Sequence, residues 1–180
     1  MQPKVVLNSD RFQLTINRLC YQLIENHKDF DNTALIGLQP RGIYLLDRIK
    51  STLKDIAPEV DLKTGTLDIT FHRDDFRRRE EVLQPSATEI DFLLEDKKVV
   101  LLDDVLFTGR TIRAAMDALL SFGRPEIIEL MVFIDRRFTR HVPVQPNYVG
   151  KIVDSIHEEM VKVQWKELDK EDKVILYTPE

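Results

Sequence analysis

The sequence predicts one α/β domain over residues 1–180, with a central parallel sheet flanked by helices. Segments 33–37, 98–103 and 127–134 are largely apolar, which is typical of strands covered on both faces. Segments with apolar residues at helical spacing separate them. Because strand and helix alternate from 33 to 134, we expect right-handed crossovers between parallel strands. A chain of 180 residues is long enough to bury a full core around such a sheet.

Start and stop signals mark each predicted helix. The first follows candidate capping residues at 8–10, and its apolar residues then recur every three or four positions. The second follows the Pro-Arg-Gly turn at 40–42 and ends before Pro58. The third carries an apolar stripe from 112 to 120, and Gly123 ends it. Each predicted helix therefore has an apolar face to pack on the sheet.

Three further segments complete the predicted elements. Apolar and polar side chains alternate over residues 64–71, which predicts a strand. Residues 72–91 have little periodicity and many charges, so we expect a long loop, and loops of that length are usually functional or mobile. Residues 141–180 predict shorter strands and turns, with strands at 148–151, 160–164 and 173–177.

Composition narrows the classes of function. The formal net charge of −5 argues against a generally basic nucleic-acid-binding surface, although it is compatible with a local basic patch. The single cysteine, Cys20, excludes an internal disulfide and a cysteine-based zinc site and is consistent with the cytosol. We expect a cytoplasmic protein without a membrane span, because no stretch approaches the ~20 apolar residues that a spanning helix needs.

Residues 99–111 combine a buried strand, two adjacent carboxylates and a helix start. A helix N-terminus preceded by Gly109, with hydroxyls from Thr108 and Thr111, suits a phosphate because free backbone N–H groups point outward there. The carboxylates of Asp103 and Asp104 suit a neighbouring diol, or the Mg²⁺ that a polyphosphate carries. A phosphate, a diol and a metal-bound diphosphate in one molecule describe 5-phosphoribosyl-1-diphosphate (PRPP). The alternative is that the carboxylates only end the strand and cap the helix.

The same segment closely resembles the PRPP-binding signature of the type I phosphoribosyltransferases. Across nearly the whole chain, the sequence resembles the pyrimidine-operon attenuator / uracil phosphoribosyltransferase family. The matching segments are Arg-Gly-Ile-Tyr-Leu at 41–45, Arg-Asp-Asp at 73–75, Gly-Arg-Thr-Ile-Arg-Ala-Ala-Met-Asp-Ala-Leu at 109–119, Gly-Arg-Pro at 123–125, Asp-Arg at 135–136 and Asn-Tyr-Val-Gly-Lys at 147–151. The resemblance implies the type I fold, with a small hood built by the terminal segments (largely 141–180) and a flexible flap over about 72–91.

The resemblance also implies a reaction and its participants. Phosphoribosyl would pass from PRPP to uracil, giving UMP and diphosphate, in a Mg²⁺-dependent homo-oligomer, a dimer or higher. Asp103 and Asp104 would bind the ribose diol and, directly or through water, the metal; with Arg41 they form the predicted catalytic set. The other implied contacts are Arg41 and Gly42 for diphosphate, Arg73 for the flap, Thr108, Gly109, Arg110 and Thr111 for the 5′-phosphate, and Tyr148 and Val149 for the base.

Two positions favour a pyrimidine over a purine. In the purine salvage enzymes of this superfamily, an Asp before the Thr-Gly of the phosphate cradle handles the N7 proton; this chain has Phe107 there. Those enzymes also carry a Lys, which binds the exocyclic oxygen of the purine, near the position of Asp135. A purine enzyme without that carboxylate would lack its usual acid/base partner, and uracil has no N7.

The resemblance leaves a second function open, because family members can be attenuators that bind an mRNA leader when UMP is present. Those attenuators bind RNA through basic residues, and this chain keeps Arg18 and Lys151 at such positions. At four other positions where bacterial regulators often carry basic residues, this chain has Gln13, Asn26, Gln39 and Gln145. Each lost phosphate contact weakens RNA binding through reduced counterion release. The remaining arginines are equally compatible with a solvated surface or an oligomer interface.

Overall fold

The computed structural model describes residues 3–72, 87–156 and 158–179. The α-helices in these ranges are α1 (Ser9–His27), α2 (Gly42–Ile56), α3 (Arg110–Leu119) and α4 (Lys166–Asp169). The strands are β1 (Lys4–Leu7), β2 (Thr33–Leu38), β3 (Lys63–Leu67), β4 (Lys98–Leu106), β5 (Ile127–Arg137), β6 (Tyr148–Asp154), β7 (Met160–Gln164) and β8 (Lys173–Tyr177). Short 3₁₀ turns lie at Thr70–His72 and Leu120–Phe122. No helix in the described ranges is long and apolar enough to cross a membrane.

A five-stranded parallel sheet forms the centre, in the order β3-β2-β4-β5-β6. This confirms the predicted fold class. The central strand β4 is almost completely buried, because layers of other elements cover both of its faces. In register, Asp103 of β4 lies beside Val132 of β5, which lies beside Val149 of β6.

Two hydrophobic cores lie on opposite faces of this sheet. Val100 and Leu102 of β4 belong to the core that contains the apolar faces of α1 and α2. Val99 and Leu101 belong to the core on the side of α3. Alternate residues of a strand point to opposite faces, so a continuous apolar run in β4 supplies both cores.

The hood is a separate antiparallel sheet in the order β1-β8-β7. Trp165, directly after β7, is fully buried and attaches the hood to the first core. Its ring centroid lies 5.2 Å from that of Phe12 in α1 and 5.7 Å from that of Phe133 in β5. The hood is therefore packed against the same sheet face as α1 and α2.

Residues 141–180 divide between the two sheets, and the strand predicted over 64–71 is shorter than expected. Residues 141–180 supply two of the three hood strands, β7 and β8, whereas Tyr148–Asp154 in the same range is the fifth strand of the parallel sheet. The strand predicted over 64–71 ends at Leu67. The Asp68 side chain accepts hydrogen bonds from the backbone N–H and hydroxyl of Thr70 at 2.8 and 2.6 Å, which turns the chain out of the ladder.

Candidate active site

Two adjacent carboxylates lie near the carboxyl end of β4. Asp103 and Asp104 are 8% and 9% exposed, and the backbone N–H of Asp104 donates to Oδ1 of Asp103 at 2.9 Å. Strand geometry directs the two side chains to opposite faces of the sheet. Asp104 therefore lies on the side of α2 and the hood, and Asp103 lies on the side of α3. Ligands of open parallel sheets bind beyond this edge.

Arg41 connects Asp104 to the hood. This residue lies just before α2, and its Nε donates to Oδ2 of Asp104 at 2.9 Å. Its Nη2 donates to the backbone carbonyl of Val163 in β7 and lies 3.9 Å from Oδ2 of Asp169 in α4. Arg41, which is predicted to bind diphosphate, is thus in contact with Asp104, which is predicted to bind ribose.

The contact depends on a close approach between two backbones. A Cβ added at Gly42 would lie 2.3 Å from the carbonyl oxygen of Leu102 and 3.1 Å from the Cα of Asp103. Only glycine allows the start of α2 to lie so near β4. Burial raises the pKa of Asp104, while the hydrogen bond and charge of Arg41 oppose that rise. The carboxylate is thus kept next to a cation in a poorly hydrated position.

The predicted phosphate cradle follows β4 directly. Gly109 precedes α3 with φ of 86°, in the left-handed region that favours glycine. Its carbonyl accepts the first helical hydrogen bond from Arg113 N at 3.0 Å. The N–H groups of His141 and Val142 donate to the Thr108 carbonyl at 2.9 and 3.2 Å, and Arg110 N donates to Oγ1 of Thr108 at 3.4 Å. These hydrogen bonds hold the loop at the N-terminus of α3, whose first-turn N–H groups have no partners within the helix.

Two further arginines surround Phe107. The guanidinium of Arg140 contacts the Asp135 carboxylate and donates to the Phe107 carbonyl. The guanidinium carbon of Arg136 lies 3.9 Å from the centroid of the Phe107 ring. Neither arginine was assigned a role from the sequence. Arg136 was only part of a matching dipeptide, and nothing in the local pattern distinguishes either residue from a solvated surface arginine.

Tyr148, which the resemblance assigned to the base, is a core residue of the parallel sheet. It is 2% exposed and begins β6 beside Met131, which in turn lies beside Leu102 of β4. Its hydroxyl donates to Oε2 of Glu129 at 2.8 Å, accepts from Asn26 Nδ2 at 3.0 Å and lies 3.0 Å from Nε2 of His27. Burial is the main reason why the pKa of Tyr148 rises to about 12. These contacts give Tyr148 a packing role, and base binding by this residue stays a prediction.

The remaining predicted residues occupy three different places. Val149 packs against the core on the α3 side, in register with Val132 and Asp103, and its carbonyl accepts from Nη2 of Arg18 at 3.0 Å. Arg18 and Lys151 are both exposed, on the neighbouring elements α1 and β6. Arg73 and most of the predicted flap lie outside the described residues.

A model of the phosphoribosyl transferase domain matches residues 4–168 of the chain. The chain belongs to the phosphoribosyltransferase family. A relative from Deinococcus radiodurans, named bifunctional protein PyrR, is 42% identical over 177 residues, which cover 97% of this chain and 94% of that protein. A protein of the same name from Acetivibrio thermocellus is 43% identical over 164 residues, covering 91% and 88%. These relatives confirm the resemblance to the attenuator family.

Solved phosphoribosyltransferases share the fold. The hypoxanthine phosphoribosyltransferase of Staphylococcus aureus has a TM-score of 0.72 at 18% identity, covering 98% of this chain and 92% of that chain. The hypoxanthine phosphoribosyltransferase of Trypanosoma cruzi has a TM-score of 0.72 at 14% identity, covering 98% and 97%. In both cases the likeness concerns the backbone alone, so the base that this phosphoribosyltransferase accepts must be argued from its own residues.

The burial of Asp104 has a measurable consequence for stability. Because the pKa of its carboxyl is raised in the folded state, ionisation opposes folding, and the free energy of unfolding should fall as pH rises through the carboxyl range. We expect Asp104→Asn to be at least as stable as the wild type at pH 7. The difference should vanish at acidic pH, where Asp104 is protonated in both the folded and unfolded states. Urea unfolding followed by circular dichroism between about pH 2.5 and pH 8 measures this, because the carboxyl of an unfolded Asp is protonated only well below its ordinary pKa of about 3.9.

The matched control is Asp117→Asn, which changes an exposed carboxylate paired with Arg113 on α3. It should alter stability by less than about 1 kcal/mol at any of these pH values. A loss of about 3–5 kcal/mol in Asp104→Asn, as expected when a buried ion pair is broken, would contradict this account.

Proposed function

We propose that the chain transfers the phosphoribosyl group of PRPP to uracil, forming UMP and diphosphate. The observation that carries this proposal is the juxtaposition at the end of β4. Two buried carboxylates lie there, Arg41 contacts Asp104 at 2.9 Å, and the phosphate cradle begins at Thr108. A diol, a diphosphate and a 5′-phosphate of one small molecule can be bound by these three parts.

Each part is assigned one portion of PRPP. Arg41 and the adjacent N-terminus of α2, at Gly42, bind diphosphate. Asp103 and Asp104 bind the ribose hydroxyls and favour the positive charge that develops on the ribose. The 5′-phosphate is held by Thr108, Gly109, Arg110 and Thr111, with Arg73 as a further contact from the flap.

The carboxylates fit a Mg²⁺ ion that arrives with its substrate. Among the residues the structure describes, no group of three or more His, Cys, Asp or Glu side chains could hold a metal. Mg²⁺ keeps several waters and is commonly bound through one or two carboxylates together with phosphate oxygens, which Asp103 and Asp104 can supply directly or through water. When bound, the ion would neutralise charge on the departing diphosphate.

In this reaction the bond between C1 of ribose and the diphosphate oxygen breaks, and a bond between C1 and N1 of uracil forms. The protein accelerates the exchange mainly by holding the reactants in line and by stabilising charge. Arg41 does so at the leaving group, and the buried carboxylates do so at the ribose. We assign no side chain to the proton of uracil N1.

The surroundings of Phe107 support a pyrimidine substrate. Phe107 offers no carboxylate for a purine N7, and the Asp135 carboxylate is bound to Arg140. A purine would therefore lack the acid/base group that purine enzymes provide at N7. Uracil has no N7 and does not need it.

Competition between bases tests the proposed substrate. With PRPP and Mg²⁺, we expect UMP to form with a kcat/KM at least 100-fold higher than that for IMP or GMP, the selectivity that a site missing a needed polar partner can impose.

Asp103→Asn and Asp104→Asn should each lower kcat by about 100-fold or more. The control Asp117→Asn should keep the wild-type rate. Faster conversion of hypoxanthine or guanine, or near-normal turnover in both variants, would contradict the proposal.

A second function, UMP-responsive RNA binding, is supported by relatives that are named bifunctional. The exposed cations Arg18 and Lys151 lie on neighbouring elements. However, Arg18 donates to the carbonyl of Val149, and it shares one face of α1 with Leu14 and Tyr21, which are 66% and 55% exposed. An apolar stripe of this kind also fits an interface between copies of the chain, and we propose a homo-oligomer.

RNA binding is best measured with the leader transcribed upstream of pyrimidine genes. At physiological salt we expect affinity to be weak and to fall steeply with added salt, because phosphate contacts dominate and few cations remain. Nanomolar binding to a leader hairpin would contradict this expectation, provided that UMP strengthens it and Arg18→Ala or Lys151→Ala removes it. A hairpin of scrambled sequence is the control, since phosphate contacts alone carry no sequence information.

A further inference from the structure

Lys162 of β7 lies beside Arg41 at the edge of the hood. Its ammonium group donates to Oδ1 of Asp169 in α4 at 2.8 Å. The other oxygen of the same carboxylate, Oδ2, lies 3.9 Å from Nη2 of Arg41. That guanidinium also donates to the backbone carbonyl of Val163, the residue after Lys162. One carboxylate therefore lies between the two cations.

The carboxylate of Asp169 is anchored to the core of the domain. Its Oδ2 accepts from the backbone N–H of Trp165 at 3.3 Å, and its own backbone N–H donates to the Trp165 carbonyl at 2.7 Å. Trp165 is fully buried. The hydrogen bond from Lys162 is the main reason why the pKa of Asp169 lies below its ordinary value, so the carboxylate is ionised at neutral pH. Asp169 thus holds the ammonium group of Lys162 near Arg41.

Lys162 keeps donors that a ligand can use. An ammonium group has three N–H donors, and within the described ranges Asp169 is the hydrogen-bond partner that Lys162 has. The side chain of Lys162 is 41% exposed, so a ligand can reach it from solvent. A lysine ammonium acts as a compact charge that can turn its donors toward phosphate oxygens.

Arg48 of α2 is a contrasting cation beside the hood. Its guanidinium donates to both oxygens of Glu167 at 3.0 and 3.1 Å and to Oδ1 of Asp172 at 2.9 Å. Two carboxylates thus occupy its donors, and its side chain is 20% exposed. Arg48 joins α2 to the hood, whereas Lys162 has one carboxylate partner and is more accessible.

The charges at the carboxyl end of β4 call for a second cation if an anionic group is to bind there. Arg41 is the one basic residue between the end of β2 and the start of α2, and the carboxylates of Asp103 and Asp104 lie near it. A diphosphate group carries several negative charges, and nearby carboxylates repel it. A second cation beside Arg41 offsets that repulsion.

We propose that Lys162 is a second binding residue for the diphosphate of PRPP, so that this group is held between a cation at the start of α2 and a cation of the hood. The inference rests on the proposed function and deepens it, because it assigns part of the site to a strand that no sequence motif marks. The ammonium group donates to an oxygen of the diphosphate and stabilises the charge that builds up on it as it leaves.

Calorimetric titration of Lys162→Met in the presence of Mg²⁺ tests the inference. PRPP carries the diphosphate group, and ribose 5-phosphate lacks it. The affinity for PRPP should fall by about 10- to 100-fold, the scale of one charge-assisted hydrogen bond, and the affinity for ribose 5-phosphate should change by less than about threefold. Lys162→Arg keeps the charge and should retain most of the PRPP affinity.

The matched control is Lys173→Met, on the neighbouring hood strand β8. Lys173 also pairs with a carboxylate, that of Glu171, so its replacement removes one hood charge and one ion pair without changing the contacts of Arg41. It should change PRPP affinity by less than about threefold, as expected for a screened surface charge. If Lys162→Met fails to fold, as judged by circular dichroism, Lys162→Gln is measured against the same criterion.

Unchanged PRPP affinity in the folded Lys162 variant would overturn the inference. So would an equal loss for PRPP and ribose 5-phosphate, or an equal loss of PRPP affinity in Lys173→Met, because neither is specific to a diphosphate contact of Lys162. Formation of UMP by the wild type is measured first. If the wild type forms no UMP from PRPP and uracil, the proposed function and this inference both fail; if it does and the Lys162 variant binds PRPP normally, only the inference fails.

Discussion

An ionised carboxylate inside a protein needs a cation beside it, and the contact between Arg41 and Asp104 meets this requirement at the carboxyl end of β4. The same guanidinium donates to the carbonyl of Val163, so the central sheet, the start of α2 and the hood meet at one side chain. Gly42 makes this possible, because a Cβ there would lie 2.3 Å from the Leu102 carbonyl. Under the proposed function, a diphosphate that binds Arg41 would compete with Asp104 for the guanidinium.

The parallel sheet and the carboxylate-cradle segment could be predicted from the sequence, because strands buried on both faces are continuous apolar runs and the cradle residues are contiguous. β6 was harder to place. Because β6 is an edge strand, its residues alternate between buried and exposed without a continuous apolar run. In sequence it therefore resembles the short hood strands that follow it. Nor could the sequence show that the hydroxyl of Tyr148 is part of a buried cluster with His27 and Glu129. Contacts between residues more than 100 positions apart leave no local signal.

The contacts of the two arginines near Phe107 also could not be predicted from the sequence, although they bear on which base the site accepts. Sequence position suggested that Phe107 and Asp135 exclude a purine, but it could not show that Arg140 binds Asp135 or that Arg136 is buried over Phe107. Arg140 binds Asp135 and the Phe107 carbonyl, whereas Nη2 of Arg136 has no hydrogen-bond partner among the described residues. The residues proposed for the phosphoribosyl part lie in contiguous segments that the sequence can reveal, whereas the contacts around Phe107 arise only in the folded chain.

The central proposal is that Arg41 binds the diphosphate of PRPP and that the cradle at 108–111 binds its 5′-phosphate. Calorimetric binding of PRPP and of ribose 5-phosphate to Arg41→Ala, in the presence of Mg²⁺, tests it most directly. The account predicts that PRPP affinity falls by at least about 10-fold, the scale of a lost charge-assisted hydrogen bond, while ribose 5-phosphate affinity changes by less than about threefold. An equal loss for both ligands, or no loss for PRPP, would contradict it.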